Sequence, residues 1–392
     1  MSWRTVTFED APFEIIDGDR GKNYPSQNQL LEDGHCLFLS ATNVTKDGFV
    51  FDNCQFITQE KHEALRKGTV DRGDVILTTR GTLGNVAYYS ESVPFPHVRI
   101  NSGMVTIKSD SAELLSPYVY YYLKSDLFQS QVRALQSGAA QPQLPIRDIK
   151  KIKFNYPDLP TQERIASILS AYDDLIENYR RRIALLEQAA RLLYREWFVH
   201  FRFPGHETTK FVDGLPEEWH MMKVEDAVRR QPPGVLYSQK TALPQGNVPI
   251  LDQGQSGTIG YHNSEPSFEA SLDNPVIVFA NHTCYQRIIH FPFSAIQNVL
   301  PFKPSERVPD QIYWLHHATF GLVNLNAYKG HWPEFKIKEL IVPTEELAEN
   351  FSKNVGPMHL EIQKLTEANE KLTKARDLLL PRLMDGRIPV KV

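Results

Sequence analysis

At 392 residues the chain has room for two or three domains, and its 41% hydrophobic, 23% charged composition excludes large-scale disorder. A formal net charge of −4 argues against holding nucleic acid by bulk positive charge, so any DNA contact must come from local patches or with a partner's help. No run of about 18 apolar residues predicts a membrane span, no basic-then-apolar start predicts a secretory signal, and the scattered Cys36, Cys54 and Cys284 predict reduced thiols, a cytoplasmic setting and no metal motif.

The first globular segment is read as residues 1–158. It opens on IIDGDRGKNYPSQ, where Gly18, Gly21 and Pro25 punctuate polar residues. Strand patterns follow at residues 35–39, 75–78 and 104–107, the first two leading into polar loops at 40–48 and 79–85. Pro117 marks the first turn of a helix and Gly138 closes that region. The segment reads as a mixed α/β domain with long polar loops.

Residues 159–201 read as one helix. From Thr161 to about Phe201, the residues Ile165, Leu169, Tyr172, Ile176, Tyr179, Ile183, Leu186, Ala190, Leu193 and Trp197 recur at alternating steps of four and three, with no Pro or Gly between. Such a helix is about 60 Å long and carries one narrow apolar stripe, which needs a partner helix. Residues 344–392 supply one, with Ala348, Phe351, Val355, Met358, Ile362, Leu365, Leu372, Leu379 and Leu383 on the same spacing. Asn369 and Arg376 fall in register on that seam, where a polar residue fixes pairing at a cost in stability. Gly356-Pro357 is expected to kink this helix or mark its true start.

Between the helices, residues 202–343 read as the first domain repeated. At an offset of 192, Pro117, Tyr121, Leu123, Phe128 and Gly138 match Pro309, Tyr313, Leu315, Phe320 and Gly330. At an offset of 191, Pro142, Ile146 and Asp148 match Pro333, Ile337 and Glu339, and Val75–Leu77 is set against Val276–Val278. Pro160-Thr161 answers to Pro343-Thr344, and Leu192-Leu193 to Leu378-Leu379. The order domain, helix, domain, helix implies two long antiparallel coiled-coil helices joining two similar α/β domains about a pseudo-two-fold axis. On DNA that arrangement predicts two contacted segments separated by a gap.

Catalytic motifs are missing. Gln231-Pro232-Pro233-Gly234 lacks the Asn and aromatic of an adenine methyltransferase motif, and Gly18–Asn23 lacks the spacing and hydroxyl of a P-loop. Asp158 and Glu163 make no convincing nuclease set. His316-His317 lies in a predicted helix where neighbouring side chains diverge, so both read as packing or surface residues and not as metal ligands.

Base edges and phosphates are read by Arg, Lys, Asn, Gln, Ser and Thr on elements that reach into a groove. The candidate DNA-contacting residues are Lys22, Asn23, Tyr24, Asn43, Thr79, Arg80 and Thr82 in the first domain. In the second they are Gln253, Gln255, Tyr261, His262, Asn281, His282, Gln286, Arg287 and Lys329. For each, a solvated or turn-forming side chain is the competing reading. Candidate partner-docking residues are Tyr194, Trp197, Phe198, Leu379, Leu380 and Leu383, shared between internal packing and an exposed surface.

The layout, the Leu-Pro-Thr-Gln-Glu-Arg-Ile-Ala opening of the first long helix, its Leu-Leu-Tyr-Arg-Glu-Trp-Phe close and the terminal Leu-Pro-Arg-Leu-Met-Asp-Gly resemble the specificity subunit of a type I restriction–modification enzyme. Asp17–Pro25 and Thr78–Thr82 resemble stretches of some target-recognition domains of that family. The resemblance covers the whole chain and implies a non-catalytic subunit with two target-recognition domains. These would read the two unlike halves of an interrupted double-stranded DNA site. The implied partners are two methyltransferase subunits, which would carry S-adenosylmethionine, and a restriction (translocase and endonuclease) subunit that the complex can recruit. No cofactor is expected on this chain itself. A structural coiled-coil adaptor binding proteins through its end domains, or a diverged enzyme, are the other readings.

Overall fold

A computed structural model describes residues 3–138, 142–254, 257–325 and 329–391. The chain divides into two compact units, Met1–Glu177 with Glu370–Val392, and Asn178–Asn369. Each therefore takes part of both long helices.

In the first unit, β1 (Arg4–Thr7), β2 (Phe13–Asp17), β3 (Cys36–Leu39), β4 (Val75–Thr78), β5 (Val86–Tyr88), β6 (Val98–Ile100), β7 (Met104–Ser109) and β8 (Lys153–Tyr156) are the main strands. The central antiparallel sheet has the order β2-β7-β4-β5. A second sheet pairs β3 and β6 in parallel. The β4 residues are buried throughout because both faces are covered. Val75 and Leu77 face a core with Val105, Ile107 and the tyrosines of α1 (Ser116–Lys124), while Ile76 faces the second sheet with Leu37, Leu39 and Ile100. A following helix, α2 (Asp126–Leu135), adds Phe128 and Val132 to the first core. The strand β1 pairs with β8 (Arg4 opposite Tyr156), closing the unit before α3 (Leu159–Phe198) leaves it.

The helix α3 is capped by Asp158, whose Oδ1 accepts from the Thr161 amide (3.1 Å). That is a structural task for a carboxylate that the sequence had offered as a weak nuclease candidate. Gln162 is fully buried; its amide donates to the carbonyls of Glu113 and Pro157, and its Oε1 accepts from Leu115 (2.9 Å). The Thr-Gln pair of the opening motif thus ties the helix start to the domain. Within this unit Ile165 and Leu169 pack in one core with Leu380, Leu383 and Met384 of α5 (Glu345–Met384).

The second unit repeats the scheme with β9 (His220–Lys223), β10 (Val228–Arg230), β11 (Val248–Leu251), β12 (Thr258–His262), β13 (Val276–Ala280), β14 (Gln286–Ile289), β15 (Ser294–Ala295), β16 (Val299–Pro304) and β17 (Glu339–Val342). Its sheet order β10-β16-β13-β14 mirrors β2-β7-β4-β5, β11 pairs with β15 in parallel, and β9 with β17 answers to β1 with β8. Helix α4 (Ile312–Thr319) lies where α1 does in the first unit, against the central sheet. Within this unit Arg182 of α3 pairs with Glu361 of α5 (2.8 Å), and Tyr194 and Phe198 pack on Phe351, so the two segments run antiparallel.

Three expectations change. The strand match Val75–Leu77 to Val276–Val278 is one residue out: Leu77 and Phe279 hold equivalent ladder positions, opposite Val86 and Gln286. Since a one-residue slip exchanges the faces of a strand, burial decides the register. Ile277 and Phe279 join the main core as Val75 and Leu77 do, whereas Val276 and Val278 face the second sheet. The offset of 191 likewise sets Asp148, in a helical turn, against Glu339, at a strand start. Gly356-Pro357 neither starts nor interrupts α5, which is helical throughout. Pro357 is exposed, and the carbonyl it cannot pair with belongs to exposed Lys353, where water can serve. The bare Gly356 instead lies against Tyr313, whose ring edge stands 3.2 Å from where a Cβ would be.

Candidate nucleic-acid interface

In the first unit the loop after β4 turns back through Gly84, whose φ of +84° suits glycine; Gly84 N–H donates to Thr78 O (3.0 Å) and Thr78 N–H to Asn85 O (2.9 Å). The amides of Thr79 and Arg80 both donate to Gly103 O (2.8 and 3.1 Å), fixing this loop to the turn between β6 and β7. Thr82 Oγ1 donates to Ala41 O (2.9 Å) and Asn85 Nδ2 to Val44 O (2.9 Å), fixing it also to the loop after β3. Arg20 bridges to the Asp17–Tyr24 loop, its guanidinium 3.2 Å from Ser102 O. Buried Asp19 organises that loop by accepting from the amides of Gly21 (2.6 Å), Arg66 (2.7 Å) and Lys67 (3.3 Å). The Gly21 hydrogen bond, with those from Arg66 and Lys67, outweighs desolvation and holds its carboxyl below the usual range. Four loops thus share one continuous face.

The second unit builds the same junction from other residues. Cys284, at φ +57°, donates to Ala280 O (2.9 Å) as Gly84 does to Thr78, and Ala280 N–H donates to Tyr285 O (2.8 Å). Asn281 N–H donates to Asn298 O (2.9 Å), answering Thr79 to Gly103. His331 N–H donates to Asn281 O (2.8 Å), answering Leu144 N–H to Thr79 O (3.0 Å). The loop after β11 is braced by Gln253, whose Oε1 accepts from His282 N–H (2.8 Å) and whose carbonyl accepts from Thr283 Oγ1 (2.5 Å). Arg287 props it from beneath, donating to Gly257 O (2.9 Å).

Against this frame the candidate residues separate. Lys22 is exposed and Arg80 half-exposed on the shared face; among the described residues neither side chain has a hydrogen bond or ion pair. Asn23 donates to Ala64 O (2.9 Å), and Tyr24 packs edge-on against Phe38. Asn43 and Thr79 are buried, Asn43 donating to Val50 O and Asn53 O, and Thr82 is exposed but tied to Ala41. In the second unit Tyr261 sits on β12, half-buried. His262 is buried, stacked on Tyr237 (4.2 Å) and bonded to Ser294 Oγ (2.9 Å). Gln286 is buried on His316 and Thr319. Asn281 accepts from Trp332 N–H (2.8 Å), and Lys329 pairs with Glu334 (3.4 Å). Gln255 lies outside the described residues. Arg20 and Gly103 were missed, because a backbone anchor or a residue inside a turn motif has no side-chain signature.

The docking set needs correction. Trp197 and Phe198 are buried in the second unit against Phe351 and Trp219, with Tyr194 half-buried beside them. Leu380 and Leu383 are buried in the first unit's core, with Leu379 packed on it. The domains cover these helix ends, so residues that looked surplus to the seam fill the core. The exposed leucines of the helices are others: Leu175 (38%), then Leu185 (64%) and Leu192 (47%), seven residues apart, and Leu378 (63%).

Residues 3–188 match the family model of the type I restriction modification DNA specificity domain. These residues belong to that family, and the likeness to type I specificity subunits runs over most of the chain. The chain is similar to the MjaIX specificity subunit of Methanocaldococcus jannaschii, 25% identical over 82% of this chain and 78% of that protein. It is also similar to the HindI specificity subunit of Haemophilus influenzae, 22% identical over 95% of this chain and 98% of that protein. Among solved structures, the type I restriction–modification S subunit from M. genitalium shares the fold with a TM-score of 0.61 at 15% identity, covering 100% of this chain and 97% of its own. As a specificity subunit the protein is the non-catalytic, DNA-recognising component of a restriction–modification system and works with partner subunits. No helix among the described residues is long and apolar enough to cross a membrane.

Proposed function

We propose that each unit of this specificity subunit reads one half of an interrupted double-stranded DNA site through the loop junction described above. The observation that carries this reading is the repetition itself. The same backbone anchors hold a hairpin loop in both units, while the side chains they present differ, Arg80 in one and His282 in the other. A scaffold that keeps its backbone bonds and changes its exposed side chains suits two unlike half-sites. Phosphate contacts would come from Lys22 and from loop amides, and base contacts from Arg80. Replacing Arg80 by Ala should weaken cognate binding by about 1–3 kcal/mol with no change in melting temperature, since no protein partner is lost. Binding measured by titration of cognate duplex at fixed salt checks this, and unaltered affinity removes Arg80 from the interface.

The proposed complex contains two methyltransferase subunits, which bind S-adenosylmethionine, and can recruit a restriction subunit. Leu185 and Leu192 supply the exposed apolar stripe that supports docking of such a partner. Leu185→Asp with Leu192→Asp should abolish co-purification with the methyltransferase subunit and leave the fold intact by circular dichroism. Retention of the partner would move the docking surface elsewhere. Mapping methylated adenines in the host genome tests the whole reading: it predicts one gapped motif with two different halves.

A further inference from the structure

We propose that His316, His317 and His359 form a binding site for a single late first-row divalent metal ion, such as zinc, inside the second unit. One ring nitrogen of each lies within 4.8 Å of the others, and Nε2 of His317 is 3.0 Å from Nε2 of His359. The ring centres make a nearly equilateral triangle, 5.1 Å from His316 to His317, 5.4 Å from His316 to His359 and 5.2 Å from His317 to His359. Three imidazoles bound to one tetrahedral ion through nitrogens at about 2.0–2.1 Å have ring centres roughly 5 Å apart. Adjacent helical side chains diverge at their Cβ atoms, but these two rings turn toward a common point, with a third ligand that sequence spacing could not bring to mind. His359 comes from α5, 42 residues beyond His317.

The donor set indicates the ion. Three neutral nitrogens with no carboxylate or thiolate suit zinc, cobalt, nickel or copper and give calcium or magnesium no oxygen ligands. Burial pushes His317 down to about 3 and His359 to about 4, with Arg191 adding to the shift of His317, which favours the neutral rings that ligands must be. His316 and His317 are buried while His359 is half-exposed, which gives an ion a way in. The surroundings are those of an outer shell. Tyr313 stacks on His359 (5.1 Å), Phe351 and Tyr194 flank His317, and the Gln286 amide lies 3.1 Å from Nδ1 of His316. The same Gln286 amide nitrogen donates to His316 O (2.9 Å), tying this ring's residue to β14. Arg191 of α3 is the nearby cation, with Glu187 3.7 Å from it, and among the described residues the buried Nδ1 of His290 has no hydrogen-bond partner. The ion would pin α4 to α5. Through His316 and Gln286 it would also stiffen β14 directly after the loop proposed to touch DNA.

The test uses the full chain, stripped with a chelator, dialysed, and titrated with cobalt(II) and then zinc(II). One cobalt per chain is expected, with the visible absorption of a tetrahedral nitrogen site, displaced by one zinc, and a higher melting temperature with either ion. His359→Gln should raise the metal dissociation constant by more than about 100-fold, since loss of an outer-shell partner alone costs about 10–100-fold. A cluster of His35, His62 and His97 in the first unit provides the control, so His97→Gln should leave binding unchanged. Metal uptake that survives His359→Gln, or that is lost in His97→Gln, overturns the proposal. So does the absence of stoichiometric uptake by the folded wild-type chain.

Discussion

Gly84 and Cys284 hold the same turn in the two units, and only one of them is free of a Cβ. A left-handed backbone costs a non-glycine residue about 1–2 kcal/mol. Gly84→Ala should therefore destabilise the first unit by about that amount, more if Gln129 cannot yield, since the new Cβ would stand 2.8 Å from its Oε1. Cys284→Gly should be neutral or stabilising, the relief of strain being offset by the chain entropy of glycine. Chemical denaturation of the two variants checks that only Gly84→Ala destabilises. Asp19 makes a pH prediction. Its folded pKa is lowered, so its contribution is complete above the unfolded carboxylate value near about 3.9 and is lost as pH falls through the folded value. Asp19→Asn should lose about 1 kcal/mol at neutral pH and flatten stability between roughly pH 4 and the lower folded value, measured by urea melts at several pH values. None of this was visible in the sequence beyond a turn-rich DGDRG stretch, because two of the three amides that Asp19 binds lie 47 and 48 residues away.

At the scale of elements, the heptad spacing placed the starts of the two long helices closely and overran their ends, since they span 159–198 and 345–384 where 159–201 and 344–392 were expected; one period repeated over forty residues has few other readings. The polar interruptions were legible as position but not as partner. Arg376 pairs with Asp173 (2.6 Å), which also accepts from Tyr121 OH (2.9 Å). Burial works against the charge of Arg376, but Asp173 and Asp377 outweigh it and keep the guanidinium protonated. Arg376→Leu should cost about 1–2 kcal/mol by leaving Asp173 half-buried without its cation, and Asp173→Leu in the same chain should recover most of it. A double-mutant cycle in denaturant reads the coupling. Partner docking was misjudged at this scale for a simple reason. Periodicity says which residues leave the seam, and only the fold says which of those a sheet or a neighbouring helix then covers.

For the whole molecule, the repeat was readable from conserved order along the chain, and its register was not, since surface loops of unequal length shift the offset between matching strands. The two units carry separate loop junctions, and each unit has its own closing strand pair, β1 with β8 and β9 with β17. Substituting the residues of the loop after β11 should therefore change one half of the methylated motif and leave the other half untouched, as methylome mapping of a complemented host would show. Change in both halves would mean that the units do not recognise DNA separately.

The anchors at each junction are mostly main-chain atoms: the carbonyls of Gly103, Ala41 and Val44 in one unit, and of Asn298 and Asn281 in the other. Peptide carbonyls survive almost any mutation of the residues that bear them. Lineages of this protein can accordingly rewrite their DNA vocabulary at the exposed positions by drift or recombination while folding goes on undisturbed, and newly diverged recognition of DNA should arise without a period of instability.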